Sequence, residues 1–187
     1  MFATARVGIG VHLIPYLTGI GYAPTAAAGI FGTMFIFSAV GNFGVGRFVD
    51  RLGGRTTFML VFIAAAAGLA ALLDASHVAA IAAFMVVFGL VRETQPVVGP
   101  VTVSESLGTK RLGALLGILG FFTTVGFAVG PVIAGRIFDS THSYSGALIL
   151  FTVMALLSAL AMRGVRPLIE EESSRRPTAV QPAIADA

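Results

Sequence analysis

The sequence predicts an all-α membrane protein, a polytopic bundle of six transmembrane helices. Three observations support this class. The 187 residues are 56% hydrophobic and only 11% charged, with a mean hydropathy of +0.92, whereas a soluble domain carries about 25% charged residues. Six long apolar runs follow one another along the chain. Basic residues collect in alternate connections between these runs, so a bilayer is the expected solvent.

The apolar runs have the length and composition of membrane helices. About 20 apolar residues cross the hydrocarbon core as a helix, and these runs lack the period-two alternation of barrel strands. Helices also pair every backbone polar group within one segment, as lipid requires. A transmembrane domain is predicted over residues 1–165, followed by a disordered cytoplasmic tail at 166–187. The six predicted spans are residues 2–16, 26–46, 56–73, 78–103, 112–135 and 144–162.

The connections between the spans predict the orientation. The second and fourth connections and the tail hold nine Lys and Arg residues, whereas the other connections hold only Arg136. The positive-inside rule places the nine-residue side in the cytoplasm, so both termini of this multi-pass cell-membrane protein (inner or plasma membrane) are expected there. The scattered basic residues suit membrane orientation better than nucleic-acid binding, although the pI is near 10.0.

A short charged stretch, GRFVDRLGGR at residues 46–55, joins the second and third spans. A connection this short makes the two helices antiparallel neighbours. Gly53 and Gly54 can supply the positive φ that a tight reversal needs. Asp50 could lie near a helix N-terminus or pair with an arginine. The alternative interpretation is a plain charged turn that anchors two helices.

Arg92 and Glu93 are the sharpest candidates for function, because charge within a span normally faces a cavity or a partner. They lie about 21 Å into the fourth span at 1.5 Å per residue. We expect Arg92 to bind an anionic group of a substrate through its planar fork, and Glu93 to carry a coupling proton. Adjacent helical positions do not face one another, so the two need not pair. The alternative is a structural pair between helices, or a shifted span in which Pro96 and Pro100 form a kink.

The first span carries His12 and Tyr16 beside Pro15. A proline at this depth can kink the helix and free a carbonyl toward a cavity, so His12 and Tyr16 are candidate cavity-lining groups, with His12 able to titrate. The alternative is that a neighbouring helix satisfies His12.

Glycines dominate the fifth span. Gly113 and Gly117 are four residues apart, as are Gly126 and Gly130, which is the spacing of small residues at close helix contacts. Pro131 follows directly. Helix packing is the favoured interpretation, and a sliding surface between repeats is the alternative.

Signatures of enzymes and cofactors are absent from the sequence. It contains no GxSxG, HExxH, P-loop or GxGxxG pattern. It contains no cysteine, and its His, Asp and Glu residues lack metal-ligand spacing. The sequence therefore predicts neither an enzyme nor a cofactor or metal site.

The charged stretch resembles motif A of the major facilitator superfamily, in which Gly, three residues, Asp, a basic residue, one residue and Gly precede basic residues. Gly54 departs from the pattern, since a basic residue is usual there. By resemblance, the loop lies on the cytoplasmic side, and Asp50 and Arg51 help to latch one conformation during alternating access. The matching positions are Gly46, Asp50, Arg51, Gly53 and Arg55.

Two further stretches, HLIPYLT at 12–18 and GRIFDSTHSYSGALIL at 135–150, look like the second half of monocarboxylate-transporter-like members. GFAVGPVIAG at 126–135 is similar to motif C of antiporters, but it falls on the fifth span, so antiport is not inferred. The resemblance covers residues 1–165 and implies half of a twelve-helix fold, built as a 3+3 inverted repeat. It implies secondary transport of a small solute such as an organic anion or monocarboxylate, with H⁺ as a possible coupling ion.

Six helices make only half of such a fold, and three explanations stay open: a truncated gene, a misassigned start, or a half-size protein. A half-size protein would need a homodimer or a separate N-terminal half to transport a solute. The alternative function is an inactive or partner-dependent half-transporter that acts only as a membrane subunit or scaffold. An unrelated channel would need a polar pore stripe, which the sequence lacks.

Overall fold

The computed structural model describes residues 1–75 and 77–165, and within these residues the chain is helical and has no strand. The predicted all-α bundle is confirmed. The predicted tail, residues 166–187, lies outside the described residues. The six helices are α1 (Phe2–Gly19), α2 (Pro24–Leu72), α3 (Val78–Arg92), α4 (Gln95–Leu107), α5 (Leu112–Thr141) and α6 (Ser145–Ala161).

Helix α2 contains two of the predicted spans as two arms, residues 24–52 and 54–72. The arms meet at Gly53, whose φ of 76° and ψ of 162° are not helical. Both arms contact the same part of α3, since Gly41 lies against Leu90 and Gly68 lies against Phe88. Leu90 and Phe88 are only two residues apart. The chain must therefore turn back at Gly53, and the two arms of α2 run antiparallel.

The predicted fourth span is two helices, α3 and α4, bent by 46°. A continuous helix would bond the N–H of residue 96 to the carbonyl of Arg92. Pro96 has no N–H, and its ring collides with that carbonyl, so α3 ends at Arg92 and α4 restarts with Pro96 in its first turn, where the N–H is not needed. Pro100 lies inside α4. The break therefore falls immediately beside the candidate residues.

By length and hydropathy alone, three helical segments of the described chain could cross a membrane, or four if the bent pair forms one span. The two arms of α2 count as one segment, and α1 is not among the segments, so six spans stay a prediction. Helices α1, α4 and α5 and the first arm of α2 continue beyond the predicted span ends. Helix α1 includes Pro15 and runs past Tyr16, and α5 continues until His142 adopts the left-handed conformation at φ 53°.

Small residues set the closest helix contacts of α1. A Cβ added at Gly130 of α5 would collide with the backbone oxygen of Thr4, and one at Gly126 would lie 3.0 Å from the Thr4 hydroxyl. A Cβ at Gly8 would collide with the ring of Phe151 on α6 and would lie 3.1 Å from the backbone oxygen of Gly130. Helix α1 therefore packs closely against both α5 and α6.

Candidate functional site

A charged cluster lies where α1 passes the break between α3 and α4. The Glu93 carboxylate accepts a hydrogen bond from Arg6 of α1 through one oxygen, and from Nε of Arg92 through the other at 3.1 Å. The exposed fractions of the Arg6, Arg92 and Glu93 side chains are 12%, 8% and 28%. The sequence left the pairing of Arg92 with Glu93 open, and in the structure the two side chains pair. Glu93 has left the helix, with φ −108° and ψ 15°, so its side chain can turn back to Arg92.

Aromatic rings from two more helices surround the guanidinium groups. The guanidinium carbon of Arg6 lies 4.7 Å from the ring centre of Phe127 on α5. That of Arg92 lies 4.7 Å from Phe35 and 5.6 Å from Phe31, both on the first arm of α2. Cations over ring faces are stabilised by the negative ring quadrupole. Rings therefore hold both arginines in place without neutralising them.

The cluster carries one positive charge in excess, since two guanidinium groups share one carboxylate. Nη1 of Arg92 and Nε of Arg6 are buried and have no hydrogen-bond partner among the described residues. A buried donor left unsatisfied costs about 1–3 kcal/mol, and more when it is charged. The cluster can therefore accept one further anionic group, and an added acceptor would lower its energy.

His12 and Tyr16 form a second cluster, nearer the other end of α1. His12 Nε2 lies 3.0 Å from the carbonyl oxygen of Pro131, and Nδ1 lies 3.1 Å from the Tyr144 hydroxyl. Because a carbonyl only accepts, Nε2 donates to Pro131, and Nδ1 shares the second hydrogen bond with the Tyr144 hydroxyl. The Tyr16 hydroxyl donates to the Leu72 carbonyl at 2.8 Å. These contacts tie α1 to α2, α5 and α6.

The two clusters are separate within the described chain. Arg6 and His12 are six positions apart on α1, which is about 9 Å along the helix axis. A cavity of about 260 Å³ lies on the other side of Arg6, bounded by Ala3 and Phe122. Gln95 and Thr123 line it and are joined by a hydrogen bond of 3.2 Å. Polar groups near the charged cluster thus face this cavity rather than His12.

The motif A-like loop is held from α4 and from the end of α6. The Gly54 N–H donates to Oε2 of Glu105 at 2.8 Å, so Glu105 places a carboxylate at the start of the second arm, where a negative charge is favoured. Arg55 donates to the carbonyls of Met162 and Arg163 at 3.0 and 2.9 Å.

The other motif positions lie outside these contacts. Asp50 and Arg51 are exposed, and neither forms an ion pair with another described residue. A Cβ added at Gly46 would meet nothing within 4 Å. Glu105 therefore occupies the position at the helix N-terminus that was one of the two suggested for Asp50.

The glycine pairs of α5 differ in their surroundings. Gly126 and Gly130 lie against α1, whereas a Cβ at Gly113 or Gly117 would meet nothing within 4 Å in the described chain. The most apolar stretch of α5, which is 18 residues long, contains no buried residue. The close helix packing that was predicted at Gly113 and Gly117 is therefore not formed with any described residue.

Three residues of these sites were not predicted from the sequence to be functional or structural partners. Arg6 carried a signal, since it is an ionisable residue inside a span. Glu105 and Tyr144 carried none, because each is a polar residue near a span end, where such residues are common. No group of three or more His, Asp and Glu residues in the described ranges could hold a metal ion.

Comparisons with known proteins agree with the architecture. The family model of the Major Facilitator Superfamily matches residues 1–185. The chain is 28% identical to Monocarboxylate transporter 12 of Homo sapiens over 156 residues, 81% of this chain and 30% of that protein. It is 29% identical to Monocarboxylate transporter 12 of Mus musculus over 160 residues, 83% of this chain and 33% of that protein. No solved structure gives a significant match.

The chain spans about a third of the length of the relatives it matches. The family model, by contrast, covers nearly all of the chain, and a helical bundle that places ionisable residues between apolar helices fits that family. Proteins of this family are membrane transporters, and a lipid environment fits the apolar helices of this chain. This chain belongs to the Major Facilitator Superfamily.

Proposed function

We propose that this chain is one half of a secondary transporter that binds a small organic anion at Arg92 and moves it by alternating access. The supporting observation is Nη1 of Arg92, a buried guanidinium nitrogen without a partner in the described chain. The similarity to proteins named Monocarboxylate transporter 12 favours a monocarboxylate as the anion. A carboxylate suits the vacant position, because its two oxygens match the guanidinium fork.

Glu93 gives the proposed site a route to proton coupling. It already accepts from Nε of Arg92, so a substrate carboxylate at Nη1 shares this guanidinium with Glu93 and competes with it for the positive charge. Glu93 then binds one proton, and its other contact, Arg6, retains a neutral acceptor. One anion and one proton enter together, so the net charge of the cluster is the same before and after loading. His12 and Tyr16 have no part in this step, since their hydrogen bonds join helices.

A second bundle is needed for this transport, because alternating access requires two bundles that rock about the site. That bundle would be a second copy of this chain, a separate N-terminal half or a further part of the same protein. The basic connections favour cytoplasmic termini in the cell membrane. The motif A-like loop, with Asp50 and Arg51, then faces the cytoplasm and contributes to gating. The alternative is a half-transporter that serves only as a membrane subunit or scaffold.

Substrate binding to the purified chain tests the proposal directly. Titration calorimetry in detergent with acetate, pyruvate and benzoate should detect binding to the wild type and none to Arg92→Gln. Arg111→Gln is the matched control, because Arg111 is an exposed arginine in the connection before α5. Equal binding by Arg92→Gln and wild type would remove Arg92 from the site.

Proton coupling and partnership need their own measurements. In a weakly buffered binding assay, we expect proton uptake on carboxylate binding by the wild type and none by Glu93→Gln. The mass of the purified chain, with bound detergent subtracted, distinguishes a dimer from a monomer. A chain that assembles with a second bundle but binds no carboxylate would favour the subunit or scaffold.

A further inference from the structure

An apolar groove of about 330 Å³ runs between the two arms of α2 on the outside of the bundle. Gly44 and Phe48 form one wall, and Leu60 and Ala64 form the other. Thr94, at the break between α3 and α4, also lines the groove. The groove therefore extends from the level of the Gly53 loop to the level of the charged cluster.

The walls of this groove face outward and are not covered by the described chain. Val40, Phe48 and Leu60 are 58%, 55% and 47% exposed. Gly44 leaves the groove deep, since a Cβ there would meet nothing within 4 Å. From Val40 to Phe48 the groove is about 12 Å long at 1.5 Å per residue. A narrow apolar slot of this length suits an extended hydrocarbon chain.

Two arginines lie at the end of the groove that is nearer the Gly53 loop. Arg51 continues the stripe of Val40, Gly44 and Phe48, at spacings of four, four and three residues, which share one helix face. Arg47 precedes it by one turn. Both arginines are exposed, and neither forms a hydrogen bond or an ion pair with another described residue. Asp50 is turned by about 100° from Arg51 about the helix axis, away from the groove.

We propose that this groove is a binding site for an anionic phospholipid of the leaflet on the Gly53 side. One acyl chain fills the slot between the arms of α2, and the headgroup phosphate binds Arg51 and Arg47. Apolar lining alone would accept any lipid chain, and the two arginines supply the preference for a negative headgroup. The site does not depend on Arg92 or on transport, so it stands or falls separately from the proposed function.

Native mass spectrometry of the delipidated, detergent-solubilised chain tests the site. Dioleoyl phosphatidylglycerol and dioleoyl phosphatidylcholine are added separately, since they share acyl chains and differ in net charge. We expect a one-to-one adduct with phosphatidylglycerol at lower lipid concentration than with phosphatidylcholine. Arg51→Gln should weaken the phosphatidylglycerol adduct by about fivefold, from about 1 kcal/mol per basic residue near anionic lipid, and leave phosphatidylcholine unchanged.

Two glycine substitutions separate the groove from the headgroup contact. Gly44→Leu fills the slot without meeting other protein atoms at its Cβ and should abolish both adducts. Gly32→Leu is the matched control, because Gly32 lies on the same arm, outside the groove, and its Cβ would also meet nothing within 4 Å. Wild-type adducts with Gly44→Leu, or equal affinity of the wild type for both lipids, would overturn the proposal. So would displacement of the lipid by equimolar glycerol phosphate, which has a phosphate but no chain.

Discussion

Removing the carboxylate of Glu93 should destabilise the bundle far more than removing either arginine beside it. In Glu93→Gln, Arg6 and Arg92 lose their shared anion while both stay buried, with 12% and 8% of their side chains exposed. In Arg92→Gln, by contrast, Arg6 and Glu93 still form a pair. The two substitutions remove opposite charges from one site. Comparing their stabilities therefore separates the effect of charge from the effect of lost packing.

The expected difference follows from the burial of the three groups. Removing one partner of a buried ion pair costs about 3–5 kcal/mol, and the 28% exposure of Glu93 places Glu93→Gln near the lower end, at about 3 kcal/mol. Arg92→Gln loses a hydrogen bond to a charged group, worth about 1.5–3 kcal/mol, but it also removes the desolvation cost of the most buried cation. Its net cost is about 1 kcal/mol or less. The difference of about 2 kcal/mol is roughly 30-fold in the unfolding equilibrium.

Equilibrium unfolding in mixed micelles, with increasing dodecyl sulfate and helicity as the signal, measures this difference. Arg6→Gln is the control, because it leaves Arg92 paired with Glu93 and should resemble Arg92→Gln. The double substitution Arg92→Gln with Glu93→Gln should also be milder than Glu93→Gln alone, since it leaves one unpaired cation rather than two. Equal stability of Glu93→Gln and Arg92→Gln would refute the charge balance as described.

Three other contacts yield predictions. Gly130→Ala, which adds a Cβ against backbone of α1, should lower the free energy of unfolding by about 1–3 kcal/mol, whereas Gly117→Ala faces open space and should be neutral or stabilise by up to about 1 kcal/mol; the same unfolding assay compares them. Glu105→Gln should cost about 1 kcal/mol and speed amide exchange at Gly54. Tyr144→Phe should cost about 0.5–1.5 kcal/mol without changing carboxylate affinity, and weaker calorimetric binding would move its cluster into the substrate site.

Local chemistry explains which parts of the fold were predictable. Apolar content forces the membrane class. Gly53 marks the reversal between the arms of α2, because few other residues adopt its positive φ, whereas Gly54 allows the close approach of Thr102. Arg92 and Glu93 stood out as charge within an apolar run. Each of these signals lies within a few consecutive residues, so one sequence is enough to detect it.

Contacts between distant helices were not predictable in the same way. Arg6 pairs with Glu93 across 87 residues, and Glu105 binds the Gly54 amide across 51. The glycine pairs of α5 make the same point, since Gly113/Gly117 and Gly126/Gly130 have identical spacing and only the second pair lies against α1. Spacing shows that helices can approach closely, but the packing of the whole bundle decides which pairs do so.

The break at residues 93–94 connects the charged cluster with the motif A-like loop. Glu93 precedes α4 and Glu105 lies near its end, ten residues beyond Gln95, or about 15 Å along the axis. A rotation of α4 by about 10° about the break would therefore move Glu105 by about 2.6 Å, close to the full length of its 2.8 Å bond to the Gly54 amide. In the proposed transporter, a carboxylate that takes Arg92 from Glu93 would act on the residue where α4 pivots. A small change in bend there would be sufficient to break the hydrogen bond from Gly54 to Glu105, while the bonds of Arg55 to the end of α6 would remain.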